Sequence, residues 1–199
     1  PPRSTLFPYT TLFRSGRGVS YCAVCDGAFY KDKVVAVVGG GNAAVEEASY
    51  LTKFASKVYL IHRRDELRAD KIVQERAFKN EKLEFIYDTI VNKINGENLV
   101  KSATIENVKT HEIKDLAIDG IFPYIGLEPN ADLFTGQIKQ DKNGFIIVDE
   151  AMQTSVKGVY AIGDVRVTPL RQVITAAADG AIAAVYAGRY IETLEPVSV

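Results

Sequence analysis

Cys22-Ala23-Val24-Cys25-Asp26-Gly27 holds the only two cysteines of a 199-residue chain. Two thiols separated by two residues can close a small disulfide ring and reopen it by exchange. Asp26 follows the second thiol directly, where a carboxyl could handle the proton that a departing thiolate needs. Further along, Val34-Val35-Ala36-Val37-Val38-Gly39-Gly40-Gly41-Asn42-Ala43-Ala44 reads as a strand entering a glycine turn and then a helix. That arrangement holds a dinucleotide pyrophosphate on backbone N–H groups. A dithiol beside a nicotinamide site implies electrons passing from one to the other.

Three plainer accounts of the cysteines compete with exchange chemistry. A structural zinc site wants four ligands. Only His62 and His111 could join the thiols, and neither has a partner at ligand spacing, so no metal is expected. A purely structural bridge explains little, because so small a loop restricts the unfolded chain little. Two unrelated buried thiols remain the third account.

Gly39-Gly40-Gly41-Asn42-Ala43-Ala44 fits G-x-G-x-x-A, a weak pattern alone, strengthened by the Val-rich strand before it and the amphipathic helix after it. Gly39 allows the tight turn, Gly41 the approach of phosphate, with Asn42 between, and Ala44 the close packing of helix on strand. The plain alternative is an ordinary strand–helix turn. The end of the next strand selects the nucleotide. NAD sites usually place an acid there for the ribose 2′-hydroxyl. Here stand His62-Arg63-Arg64-Asp65-Glu66-Leu67-Arg68. Arginine forks bind a 2′-phosphate by charge-assisted bonds, which favours NADPH over NADH. Arg64 and Arg68 share a face if this segment is helical; a solvated basic turn is the alternative.

The elements that must position these residues follow from periodicity. Residues 33–38 form a strand apolar on both faces. A helix follows the glycines, with Ala44, Ala48, Leu51 and Ala55 at helical spacing. Val58–Ile61 is the next strand, and Asp65 to about Lys79 reads as a helix with Asp65 as N-cap. Segments 83–94, 99–110 and 112–118 alternate like an antiparallel meander, with a turn at Asn95-Gly96. An apolar crossing strand with Pro123 marks a boundary near 119–127. Beyond it come a hairpin-like stretch at Asn143-Gly144, a strand over 159–163, and a long helix from about Leu170 to Glu192. The helix carries a stripe of Ile174, Ala177, Ala181, Val185 and Gly188, suited to close backbone approach.

Composition bounds the function class. With 47% hydrophobic and 25% charged residues and a net charge of −1, the chain can pack one or two cores. Balanced charge argues against nucleic-acid or acidic-membrane partners, and no apolar run reaches the length of a membrane span. Two cysteines do not make a secreted disulfide scaffold. A cytoplasmic protein fits best.

Cys-Ala-Val-Cys-Asp-Gly, G-x-G-x-x-A, His-Arg-Arg-x-x-x-Arg, Gly163-Asp164-Val165 and Arg171-Gln172, in this order and spacing, resemble bacterial low-molecular-weight thioredoxin reductase over essentially all of 16–199. The resemblance implies that NADPH passes hydride to FAD, that reduced flavin reduces the Cys22–Cys25 disulfide, and that the dithiol reduces thioredoxin. Cys25 is then the flavin-proximal sulfur, Cys22 the sulfur that attacks the protein substrate, and Asp26 the acid of the exchange. Asp164 corresponds to the contact with the FAD ribityl and pyrophosphate; Arg171, Gln172 and Val173 correspond to the isoalloxazine contacts. The implied fold is α/β: a Rossmann-like NADPH domain, parallel sheet plus antiparallel meander, inserted into a split FAD-binding domain. A homodimer is implied as well. The relatives considered are a flavoprotein that reduces a peroxiredoxin, a ferredoxin-driven enzyme, which lacks the G-x-G-x-x-A and His-Arg-Arg signals, and a non-catalytic nucleotide-binding redox switch.

Pro1–Ser15, PPRSTLFPYTTLFRS, resembles translated sequencing-adapter DNA residue for residue and has no signal-peptide pattern. The expected organisation is therefore a non-native segment 1–15, an NADPH-binding domain 16–120 carrying the cysteines, and the C-terminal half of an FAD domain over 121–199. The expectation for such a fragment is that it lacks the first half of the flavin site, purifies colourless and is inactive, while NADPH binding persists.

Overall fold

The computed structural model describes residues 16–194, so the reading of Pro1–Ser15 lies outside the described residues. Two compact units divide between Gly126 and Leu127. The division expected at 120/121 falls at the start of a strand that belongs to the first unit's sheet.

The first unit opens with a short helix α1, Ala23–Asp26, continued by a 3-10 turn to Tyr30. Four strands follow as a parallel sheet: β1 Val34–Val38, β2 Lys57–Ile61, β3 Leu83–Ile86 and β7 Gly120–Pro123, in the order β3-β2-β1-β7. Helix α2, Asn42–Leu51, links β1 to β2, and helix α3, Lys71–Phe78, links β2 to β3. Strands β4 Thr89–Asn95, β5 Ser102–Asn107 and β6 Ile113–Ala117 form a separate antiparallel sheet.

Side-chain alternation divides the core. Val35 and Val37 of β1 pack with Val58, Leu60 and Phe122 against α2, whose Ala44, Val45, Ala48 and Leu51 are buried. Ala36, Ile61 and Ile121 point the other way and pack with Val91, Ile94, Ala103 and Ile105 of the antiparallel sheet. A central parallel strand covered on both faces has no polar side, which is why 34–38 contains only Val and Ala. Residues 18–20 extend this layer: Ile121 N–H donates to Gly18 O and Ser20 N–H to Ile121 O, at 2.7 and 3.1 Å.

Two expectations are corrected. The meander does not begin at residue 83: Leu83–Ile86 pairs in parallel with β2, and only from Thr89 does the antiparallel sheet start. The helix expected from Asp65 begins at Lys71, with Asp70 at its N-cap. The backbone donors of Arg68 and Ala69 go instead to the carbonyl of Gly40, at 2.6 and 3.1 Å. Leu67 and Ala69 are drawn into the core, and this long-range anchoring outweighs local helix preference.

The second unit contains isolated bridges instead of regular strands, so 159–163 is not a strand; Tyr160 bridges to Gln153. Gly163–Val165 forms a 3-10 turn and α4 spans Val173–Glu192. Ala131, Ile146 and Ala161 form a small core. Of α4, Asp179 and Ala183 are buried. Asp179 accepts bonds from Gly163 N–H (3.0 Å) and from Arg166 Nε (2.6 Å), clamping the 163–165 turn to the helix. The stripe of Ile174, Ala177, Ala181, Val185 and Gly188 is exposed within this unit.

Phe122 is fully buried and meets the Tyr30 ring edge-on at 5.2 Å. Phe122→Ala is expected to lower the unfolding free energy of the first unit by about 3–5 kcal/mol, read from the urea midpoint followed by far-ultraviolet circular dichroism.

Candidate functional site

The glycine turn lies at the carboxyl end of β1. Gly39 has φ +156°, and a Cβ there would run into the carbonyl oxygen of Tyr124 and lie 2.7 Å from the Cβ of Ala44. A Cβ on Gly40 would overlap the imidazole of His62. On Gly41 it would meet nothing within 4 Å, so this face of the turn is open at the start of α2. Asn42 and Asp70 bond reciprocally: the Asn42 amide nitrogen donates to Asp70 Oδ2 and Asp70 N–H to Asn42 Oδ1, both at 2.7 Å. That pair ties the starts of α2 and α3 together.

His62 stands next to this turn. It is 5% exposed, and its Nε2 has no hydrogen-bond partner. Burial holds its pKa below the usual histidine value, and the charges of Arg68, Arg64 and Arg63 push the same way against a hydrogen bond to the Glu66 backbone. Arg63, Arg64 and Arg68 are exposed. The backbone around them is fixed: Asp88 N–H donates to Arg64 O at 3.1 Å. Lys109 reaches from the β5–β6 turn to Asp65 and Asp88, each at 3.0 Å. Asp65, one of two acids among these arginines with Glu66, is therefore paired, and Lys109 holds its carboxyl below the usual range. An orphaned imidazole nitrogen under an open glycine turn, beside three exposed guanidinium groups, fits a phosphorylated dinucleotide.

Cys22 and Cys25 are joined as a disulfide with Cα atoms 5.2 Å apart. Cys22 caps α1: the Cys25 N–H donates to Cys22 Sγ at 3.1 Å. A sulfur at a helix start, receiving a backbone N–H, is where thiolate is favoured. Ser20 Oγ donates to Asp26 Oδ2 at 2.6 Å and accepts the Cys22 N–H at 3.2 Å. From the opposite side, Tyr124 Oη accepts the Ala23 N–H at 2.9 Å. Asp26 also lines a cleft of about 250 Å³ with Arg17, Tyr30, Lys33 and Asp119. Burial pushes the Tyr30 phenol up, helped by Asp26 and Asp119. Cys22, Cys25, Asp26, Gly39, Gly41, Asn42, Ala44, His62, Arg63, Arg64 and Arg68 thus all lie in the first unit.

Gly163, Asp164, Arg171, Gln172 and Val173 lie in the second. Asp164 is exposed and Gly163 buried. The Arg171 guanidinium sits 4.3 Å above the Phe145 ring and its buried Nε has no hydrogen-bond partner. Gln172 N–H donates to Thr175 Oγ1 at 3.2 Å. Val173 is 88% and Ile174 75% exposed. An orphaned guanidinium nitrogen and bare apolar side chains at a helix start fit a flat, partly polar ring system. Ser20, Asp88, Lys109, Tyr124, Arg166 and Asp179 escape sequence reading; only Asp179, an acid within an apolar helix, carries a signal in its position.

Among the described residues there is no group of three or more His, Cys, Asp or Glu that could hold a metal ion, and no helix long and apolar enough to cross a membrane. The model of the pyridine nucleotide-disulphide oxidoreductase family matches residues 10–180. The chain belongs to this family. It is 52% identical over 186 residues to the thioredoxin reductase of Peptoclostridium litorale, covering 90% of this chain and 59% of that one. The thioredoxin reductase of Bacillus subtilis is 49% identical over 181 residues, covering 90% and 57%. The crystal structure of thioredoxin reductase from Streptococcus pyogenes superposes with a TM-score of 0.87 at 50% identity, covering 92% of this chain and 60% of that one. The thioredoxin reductase of Giardia duodenalis does so at 0.81 and 38% identity, covering 90% and 60%. The chain thus spans about 60% of the length of these relatives.

The glycine geometry separates two substitutions. Gly40→Ala forces a methyl into the His62 ring and is expected to cost about 1–3 kcal/mol, as overpacking does. Gly41→Ala, facing open space, is expected to stay within about 0.5 kcal/mol of the parent. Thermal melts of the two variants check the contrast.

Proposed function

We infer that this chain serves the NADPH-dependent reduction of a protein disulfide, as part of a thioredoxin reductase. The observation that carries this reading is the Cys22–Cys25 disulfide in the same compact unit as the open glycine turn and the Arg63-Arg64-Arg68 loop. Gly41 and the start of α2 hold the pyrophosphate, because α2 is long enough for its N–H groups and dipole to favour an anion. Arg64 and Arg68, with Arg63, take the 2′-phosphate, and Lys109 keeps Asp65 from opposing it. In the second unit Asp164, Arg171, Gln172 and Val173 contribute to an FAD site; bound FAD supplies a two-electron relay between nicotinamide and disulfide.

The remaining steps belong to the chain's own residues. Two electrons entering the disulfide break its S–S bond. Asp26 delivers a proton at its carboxyl, oriented by the Ser20 hydroxyl, and recovers it from solvent in the cleft. Cys22, with thiolate favoured at the start of α1, attacks one sulfur of the oxidised partner; the partner's S–S bond breaks, its other sulfur leaves and takes a proton from solvent, and a mixed disulfide forms. Cys25 then gives its proton to Asp26 and attacks Cys22, the mixed disulfide breaks, and the departing sulfur takes that proton, so the partner leaves as a dithiol while Cys22–Cys25 is restored. Similarity to the named thioredoxin reductases supports thioredoxin as that partner. The same reading carries a homodimer acting in the cytoplasm.

Nucleotide binding tests the first half. Arg64→Ala with Arg68→Ala is expected to weaken NADPH binding at least tenfold by calorimetry and leave NADH affinity within about twofold, since each charge-assisted bond contributes about 1.5–3 kcal/mol. Equal losses for both nucleotides refute the 2′-phosphate assignment. For the second half, Cys25→Ser in the full-length enzyme should abolish thioredoxin reduction and, in the presence of oxidised thioredoxin, trap a mixed disulfide at Cys22; absence of a trapped mixed disulfide refutes it.

A further inference from the structure

Tyr124 touches both halves of this site. Its N–H donates to Val38 O at 2.7 Å, and its carbonyl oxygen occupies the space a Gly39 side chain would need. Its ring packs against the α2 core, and its phenol oxygen accepts the Ala23 N–H at 2.9 Å. Ala23 is fully buried, so without the phenol its N–H has no water to turn to, and an unsatisfied buried donor is costly. Burial, with the charges of Glu47 and Asp26, pushes the phenol up to about 12. Tyr124 therefore stays neutral and can accept this bond throughout the physiological range.

We propose that Tyr124 is a positioning residue for the disulfide: its phenol holds Ala23, and with it the start of α1, in the geometry of the oxidised pair, and so makes the dithiol a stronger reductant. Ala23 is the residue directly after Cys22, so any opening of the ring that moves the Cys22 sulfur away from Cys25 pulls on the Ala23 N–H. A bond made well in the disulfide and less well in the dithiol stabilises the oxidised form. The assignment deepens the redox reading of Cys22–Cys25 and rests on it, but its measurement needs neither nucleotide, flavin nor thioredoxin.

The 199-residue chain and its Tyr124→Phe variant are equilibrated with dithiothreitol and its oxidised form. In that exchange the Cys22–Cys25 bond breaks, the intramolecular disulfide of the reagent forms, and two thiol protons pass from reagent to cysteines. The dithiol fraction is read by maleimide-polymer gel shift. The variant is expected to be reduced more easily by up to tenfold in the exchange constant, a rise of about 30 mV in potential. A variant that melts at a lower temperature but keeps the parent's exchange constant within twofold overturns the proposal, because the phenol is then only structural. A second measurement uses the unaltered chain: the Ala23 amide should exchange its hydrogen at least tenfold faster in the dithiol form. Equal exchange in the two redox states also overturns it. Loss of the thioredoxin reductase reading would show instead as absent thioredoxin reduction in the full-length enzyme, with these two results unchanged.

Discussion

The site depends on strand register. Val38 of β1 stands opposite Ile61 of β2 on one side and Pro123 of β7 on the other, and Ile61 stands opposite Ile86 of β3. The residues that follow these four are Gly39, His62, Tyr124 and Tyr87, so the parallel pairing sets them in a row along one edge of the sheet. The glycine turn is flanked in that row by the buried imidazole on one side and the phenol that reaches the disulfide on the other. A slip of one residue in β7 would turn Phe122 out of the core face and move Tyr124 off its partner, because side chains alternate along a strand. The hydrophobic core thus fixes the chemistry: the register that buries Phe122 also sets Tyr124, two residues on, against the same cluster.

Some of this is legible in the sequence and some is not, for physical reasons. The run Val34–Ala44 is readable because a strand buried on both faces has no polar residues, and because a turn that approaches a phosphate needs glycine. The Cys22–Cys25 pair is readable because exchange chemistry is local. The segment 65–70 misleads: its residues suit a helix, but its donors are taken by Gly40, twenty-eight residues before Arg68. Leu83–Ile86 misleads for a related reason. Its alternation resembles the neighbouring meander, and only the partner strand decides between parallel and antiparallel pairing. Ser20, Lys109 and Tyr124 are unremarked in the sequence because each acts through a hydrogen bond or ion pair to a residue whose proximity the fold alone creates.

Electrostatic arrangement follows the same division of labour. Three arginines crowd the end of β2, and Asp65, one of two acids among them, is paired by Lys109 from the β5–β6 turn. Burial and the arginines together hold the pKa of His62 beneath them below the usual histidine value. In the second unit Arg166 and Asp179 pair in a largely buried setting, where an unpaired charge would be costly, and hold the turn that presents Asp164. In both units an ion pair fixes the backbone beside the candidate site residues.

The bond between Ala23 and Tyr124 joins residues 101 apart in the chain. During synthesis the cysteines therefore emerge well before the phenol that secures the turn between them. At roughly 5–20 residues per second, that interval is about 5–20 s. Throughout it the Ala23 N–H lacks the partner it has in the folded unit. The last strand of the sheet then has to be laid beside the first before the turn is secured.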